Sequence, residues 1–519
     1  MDFYTTLQQI QETSQTALAY LSQGGNAEKI GTITAISVAT YFVGNKLYDA
    51  FFGALSNVPG PFITRFMDIP LLLLDIPRGT SFKKLRDYHD VYGDIVRLGP
   101  KKIAISNKDL MRQVLVTEDH PKSPFYEIFQ ATGKLSVFSA TDKGWHKKRR
   151  RMIAPAFSIK YLNSLEPYVS KVANSLIEKI DGDIAEKHDA DNFGQVDIWT
   201  LLKCYALDVI GETAFGSSFK MIEDNSHFIP QAINDELRDS AISAMFPILS
   251  KIFLKNGGRT NPKITDFLTN VIEKRMEDID NKRQDILQSL IDAKDAENEN
   301  DRLDTAAIMG ETGLFLVAGS ETTSNTLGFT IISLLREPHT LTRLVAEIDT
   351  VELAPGQTIF EHDQIKHLPY LNAVLNESMR IFTAAGGAIP RITERATRLG
   401  DLELEKDTVI MNTLYHINTS SKYWPDPFKF KPERWLPEEQ DDNEFNDLDA
   451  FFAFSAGSRN CIGKNFALME MRLCLTALLK QFEFVAIPSE MEDALELRTF
   501  ITLAVAKHTF DCKMRRRVL

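Results

Sequence analysis

The stretch Phe454 to Gly463, FSAGSRNCIG, constrains this chain more than any other, because it sets one cysteine, Cys461, in a glycine-bearing loop that runs into a helix. Gly457 and Gly463 permit turns and close approaches that a Cβ resists. Arg459 and the following helix start place positive potential near the sulfur. Asn465 to Leu479 is rich in strong helix formers, and its first N–H groups, lacking partners inside the helix, can point at Cys461. A stabilised thiolate is expected there. Taken alone, a free cysteine reads as a small buried hydrophobe. What shifts the reading is five residue types, Phe454, Gly457, Arg459, Cys461 and Gly463, fixed around one sulfur.

Four further stretches carry chemistry. A helical pattern from about Asp304 to Arg336 stops before Pro338 and spans on the order of 50 Å, enough to cross the molecule. In its middle Ala318–Thr323 weakens the helix: Gly319 lowers propensity, and the Thr322 hydroxyl can bond back to the Ala318 carbonyl, leaving room for water or dioxygen. Glu377 and Arg380 are i,i+3 neighbours on one helix face, a pair of little worth if exposed, and Arg434 lies in FKPERW further on. Gly144–Arg151 is the densest positive run in a chain of net charge −12; read alone it is a solvated helix face. That net charge argues against a general affinity for nucleic acid. The four cysteines lie far apart without CxxC spacing, so neither zinc nor a disulfide framework is suggested.

In chain order, residues 1–29 are polar, and an uncharged run from Ile30 to Asn45 is the only membrane candidate. It covers roughly 24 Å, short of the roughly 30 Å hydrocarbon core unless Lys46 snorkels and the segment continues toward Leu55. Pro59 and Pro61 bar helix continuation after it. Tyr92 to Ser106 alternates around Gly99 and Pro100 as a hairpin, and 152–300 reads as successive amphipathic helices. Within them Ala244–Leu249 is more apolar than its neighbours and reads as core or as the lining of a substrate entrance at the membrane, and the acidic run Glu438–Asp447 reads as a solvated loop.

The cysteine loop resembles that of the cytochrome P450 haem-thiolate monooxygenases, and the other stretches match that family in order from Trp145 to Gly463. The resemblance implies a mainly α fold with small β-sheets. It divides the chain into a polar segment 1–29, a membrane anchor 30–55, a proline hinge 56–62 and one large catalytic domain 63–519. It makes Cys461 the axial ligand of haem iron in the loop of Phe454, Gly457 and Gly463, and Trp145, Arg149, Arg391 and Arg459 the haem-binding residues. It gives Glu321 and Thr322 proton delivery, and Glu377, Arg380 and Arg434 a buried charge network. Lys147, Lys148, Arg150 and Arg151 become a docking patch for an acidic electron donor.

The implied reaction inserts one oxygen atom of O2 into a lipophilic substrate, with electrons from NADPH through a separate reductase and cytochrome b5 as a second partner. The implied location is the endoplasmic reticulum membrane, with the catalytic domain facing the cytosol. No GxGxxG or flavin fingerprint occurs in the chain. The other readings are a haem-thiolate isomerase or dehydratase working without O2, and a non-catalytic haem-binding membrane protein. The small, uncharged Thr383–Ile389 favours a broad neutral substrate, with Gly386 and Gly387 read either as pocket width or as a turn.

Overall fold

The structure is a computed structural model that describes residues 26–518 apart from 69–74, 131–132, 225–226, 247–249, 251, 253, 255–260, 279–282, 284, 298–301 and 440–445. Most of the polar segment 1–29, the end of Ala244–Leu249 and most of the acidic run therefore lie outside the described residues. The described chain is mainly helical with small sheets, as expected.

Its axis is the helix Thr305–Arg336, 32 residues and about 48 Å long. Asp304 caps it, its side chain accepting from the Ala307 N–H at 2.8 Å. It packs along Ile198–Ala214, a helix buried at nearly every position. Two glycines set that approach. A Cβ on Gly328 would lie 2.5 Å from the Trp199 ring, and one on Gly319 would lie 2.8 Å from Ile210. Gly319 is thus a contact surface between antiparallel helices, and the helix runs through it without interruption.

Two β-units flank this axis. Ile95–Gly99 and Lys102–Ile105 form the expected hairpin; Val409–Thr413 pairs parallel to the second strand, and Ala388–Ile392 pairs antiparallel to Val409–Thr413. Arg391 thereby lies beside Lys122, with which it forms a bridge. A second hairpin, Leu497–Thr499 with Leu503–Val505, is tied to the core through its carbonyl and amide. The Leu503 N–H donates to Ala384 O, and Leu503 O accepts from Asn325 on the central helix.

The helix Asn26–Phe51 carries exposed apolar residues, among them Ile36, Tyr41, Phe42 and Tyr48. No helix among the described residues is long and apolar enough to cross a membrane. Thr32, Thr34, Ser37 and Thr40 dilute the uncharged run, and Lys46 and Asp49 follow it. Residues 56–62, expected as a hinge, are docked on the body. Val58 is buried, Pro59 O accepts from the Arg97 N–H at 2.7 Å, and a Cβ on Gly60 would strike Arg97 O.

Candidate functional site

Cys461 sits on a loop closed by its own N–H, which donates to Phe454 O at 3.0 Å, immediately before the helix Lys464–Gln481. The two glycines of the motif differ. Gly457 has φ +74°, and a Cβ there would lie 1.8 Å from Leu115 O, so only glycine fits. Gly463 has an ordinary φ of −84° and nothing nearer its Cβ position than Phe157 at 3.8 Å. Its contribution is an N–H directed at the sulfur.

Cys461 is exposed at the surface of its loop. Desolvation raises its thiol pKa, and the Gly463 N–H with the charges of Arg150 and Lys464 lowers it. Arg459 is not among those charges. Its guanidinium turns away to the carbonyls of Ala140 (2.7 Å), Thr141 (3.2 Å) and Asp142 (3.2 Å). Arg150, grouped by sequence with the exposed docking charges, instead grips the cysteine loop. It donates to Asn460 O at 2.7 Å and Oδ1 at 2.5 Å. Lys147, Lys148 and Arg151 are exposed.

Beside the loop lies a concentration of positive charge. Lys122, Arg391, Arg459 and His146 are near enough to perturb one another, and Lys122, Arg391 and His146 are buried. Lys122 donates to Phe138 O at 2.6 Å and packs over the Tyr126 and Phe138 rings, each at 4.1 Å. Burial, then Arg391 and Arg459, push its pKa well down. Burial and the same cations take His146 to about 3 and Arg459 to about 10. Among the described residues no carboxylate is ion-paired to Lys122, Arg391 or Arg459. A buried cluster of this kind is costly without counter-charge, so the side chains present fit a dianionic group such as the two propionates of a haem whose iron Cys461 would ligate.

The same helix that carries His146, Lys143–Ile153, carries Trp145 and Arg149, the guanidinium 4.7 Å from the indole ring. Arg149 also meets a residue that sequence reading missed, Glu311 on the central helix, at 3.4 Å. The Glu311 carboxylate is fully buried and accepts from the Val137 N–H at 2.9 and 3.2 Å. Burial pushes it up to about 7 against the pull of that N–H and Arg149.

Two and three turns further along, the same face of the helix carries Ala318, exposed, and Thr322, half-exposed at the start of a stretch that is buried from Thr323 to Leu334. Thr322 Oγ1 donates to Ala318 O at 2.9 Å. Glu321 points elsewhere. It is buried 3.3 Å from Lys203 Nζ, which also donates to Asn234 Oδ1 at 2.6 Å. The acid and the alcohol are adjacent in sequence, yet the acid is held by a cation on the neighbouring helix.

Glu377, Arg380 and Arg434 come together in full burial. Arg380 makes a two-pronged pair with Glu377 at 2.8 Å on each side, and Arg434 Nε reaches Glu377 at 3.2 Å. The Trp435 indole and the Lys431 N–H, each at 3.0 Å, complete the carboxylate's shell.

Comparison with known proteins agrees over most of the chain. A family model described as "Cytochrome P450" matches residues 59–512. The chain is 31% identical to "Cytochrome P450 monooxygenase acrD" of Aspergillus aculeatus over 86% of this chain and 88% of that protein. It is 31% identical to "Cytochrome P450 monooxygenase LUC2" of a Fusarium species, covering 86% of each. It is 26% identical to "Cytochrome P450 3A6" of Oryctolagus cuniculus over 87% and 90%.

Proposed function

Because the chain belongs to the cytochrome P450 family of monooxygenases, we propose that it inserts one oxygen atom of O2 into a broad, neutral lipophile, drawing electrons from NADPH through a separate reductase. The observation that carries this reading is a cysteine loop set beside buried cations lacking acid partners, together with a solvent-accessible Ala318–Thr322 face on a buried helix. Haem, when bound, supplies the activation of dioxygen, one atom going to substrate and the other leaving as water.

The chain's own residues bind, orient and move protons. Cys461 would hold the iron, and Lys122, Arg391, Arg459, Trp145 and Arg149 would hold the propionates. Thr322 now gives its proton to the Ala318 carbonyl. Rotating that hydroxyl toward the cavity presents a donor where water or oxygen collects, and Glu321 resupplies it when its pairing with Lys203 opens.

Substrate breadth is supported by the segment after the Glu377 helix. Neither Gly386 nor Gly387 has a positive φ, so no turn demands glycine at either position. A Cβ on Gly386 would press on Leu503 at 3.1 Å, whereas one on Gly387 would meet nothing within 4 Å. Steroids, terpenoids and other secondary metabolites suit such width better than a fatty acid, whose carboxylate finds no cation in Thr383–Ile389.

Attachment to the endoplasmic reticulum membrane through Asn26–Phe51, with the body facing the cytosol, is supported by that helix's exposed apolar side chains. Cytochrome b5 belongs to the same reading as a second donor. NADPH-dependent O2 uptake with added reductase tests the reaction, and Soret shifts across a panel of lipophiles test the substrate. Thr322→Ala is expected to keep haem but divert electrons to peroxide; unchanged coupling of NADPH to product removes Thr322 from the proton path.

A further inference from the structure

The end of the helix Asn26–Phe51 and the hairpin Ile95–Ile105 enclose a cavity of about 250 Å³, far from Cys461 in sequence and built from other elements. Its charged lining is Lys46, Asp49, Arg65, Lys101 and Glu405, with Phe66 among its apolar walls. The walls are held in place by one buried side chain. Arg97 donates to the carbonyls of Ala50 (3.2 Å), Leu55 (3.0 Å) and Asp49 (3.5 Å) on one side, and of Gly99 (3.2 Å) and Pro100 (3.5 Å) on the other. That ties the helix end and the following turn to the hairpin.

The charges around this cavity do not balance. Arg65 donates to the same Ala50 carbonyl at 2.8 Å, so two guanidinium groups converge on one oxygen. The negative end of the helix dipole offsets part of this. Lys46 and Lys101 add two more cations, while the acids are only Asp49 and Glu405, and Glu405 already lies 3.1 Å from Lys101. Burial and the Arg65 charge lower the Arg97 pKa, with Asp49 opposing. Two exposed rings lean on the lining Phe66, Phe51 at 6.0 Å and Phe62 at 5.6 Å between centroids, and their chain neighbours Phe52 and Ile63 are exposed as well. Cations inside an apolar rim match an amphiphile whose polar end is an anion.

We propose that this cavity binds a phosphate ester through Lys46, Arg65 and Lys101, and that its source is a phospholipid headgroup whose acyl chains lie against Phe51, Phe52, Phe62 and Ile63. The lipid source rests on the membrane attachment proposed above; the phosphate site does not.

The test uses the full-length, haem-loaded protein. Native mass spectrometry in detergent with added phosphatidylglycerol is expected to show one retained lipid per chain. Lys46→Glu, at an exposed helix position, is expected to lower that retention at least tenfold. Glu405→Gln, which releases Lys101, is expected to raise it. Both variants should still float with phosphatidylcholine vesicles. A wild type that floats but retains no lipid, or retention indifferent to Lys46→Glu, overturns the site and leaves the membrane reading standing. If the wild type does not float, the membrane reading fails and titration with inorganic phosphate decides the rest. Saturable binding lost in Lys46→Glu supports the phosphate site with a soluble source, and no binding overturns it.

Discussion

Two charge clusters, one at Glu377, Arg380 and Arg434 and one at Lys122, Arg391 and Arg459, differ in one respect. In the Glu377–Arg380–Arg434 cluster every charge meets a partner: the carboxylate collects two guanidiniums, an indole and an amide, and the remaining arginine donors reach the carbonyls of Asn418, Pro427 and Asp426. In the Lys122–Arg391–Arg459 cluster the cations meet carbonyls and aromatic faces but no paired acid. The first has its carboxylate and its guanidinium donors answered within the chain. The second, among the described residues, has no ion-paired acid, with Asp119 and Asp142 acting on Arg459 only at longer range. A cluster whose charged groups answer one another serves the fold, and one whose cations meet no paired acid is shaped for a ligand.

Breaking the complete cluster should have the largest effect. Glu377→Gln leaves Arg380 and Arg434 buried without counter-charge, at a cost of about 3 to 5 kcal/mol. Chemical denaturation should show that loss in haem-depleted protein as well as in the holoenzyme. A loss confined to the holoenzyme would show this cluster to depend on haem after all.

Glu311 sharpens the comparison from the other side, because it is a buried acid paired with Arg149 whose folded pKa lies above its unfolded one. Between the ordinary value of 4.5 and about 7 the folded state holds a proton that the unfolded state releases. Stability is therefore fully supported by this group below about pH 4.5 and declines as pH rises toward 7. Above that the full cost of burying the charge is present, on the order of 3 kcal/mol. His89, His146 and His362, whose pKa values are depressed, act with the opposite slope. The wild type should thus lose more stability than Glu311→Gln between pH 5 and pH 8, measured as a difference of urea midpoints. Equal slopes would remove Glu311 as the cause.

Lys122→Met tests the incomplete cluster directly. The substitution keeps an unbranched apolar stem against Tyr126 and Phe138, removes one buried charge from beside Arg391 and Arg459, and gives up one hydrogen bond, worth about 1 kcal/mol. Stability without haem should change by no more than about 1 kcal/mol in either direction. Haem transfer to an acceptor such as apomyoglobin should speed up. A variant that unfolds without haem yet holds it as tightly as the wild type would reverse the assignment of the two clusters.

The complete cluster and the cysteine loop were legible in the sequence because their residues sit in short windows with fixed spacing. The central helix was legible from Asp304 to Arg336 because a cap, a long apolar pattern and a following proline marked its ends. Lys122 was not, since a lone lysine between Pro121 and Ser123 becomes a buried cation only when Arg391 is brought beside it from a distant strand. Glu311 left a faint signal: it is an acid in an apolar helical run, 11 residues and so three turns before Thr322 on the same face. Lys203 left none, because its partner Glu321 lies on a different helix. Gly319 was seen but misread, as its value is the Ile210 side chain it admits.

The basic helix holds the smallest expected effect, and it divides along the same line between built and available charge. Arg150 is committed to Asn460 in the cysteine loop, whereas Lys147, Lys148 and Arg151 are exposed on the remaining surface. Exposed charges contribute about 0 to 1 kcal/mol to stability, so reversing these three to glutamate should leave the fold and haem content as they are. Such charges steer association instead and are screened over about 8 Å at physiological salt. First-electron transfer from the reductase, followed by stopped flow, should therefore slow in the triple variant at low salt and converge on the wild type as salt rises. Arg150→Glu should behave differently, loosening the loop and perturbing the haem spectrum at any salt. If the triple variant transfers electrons at the wild-type rate at low salt, the donor docks elsewhere. If Arg150→Glu merely reproduces the triple variant, its grip on Asn460 contributes nothing to the cysteine loop.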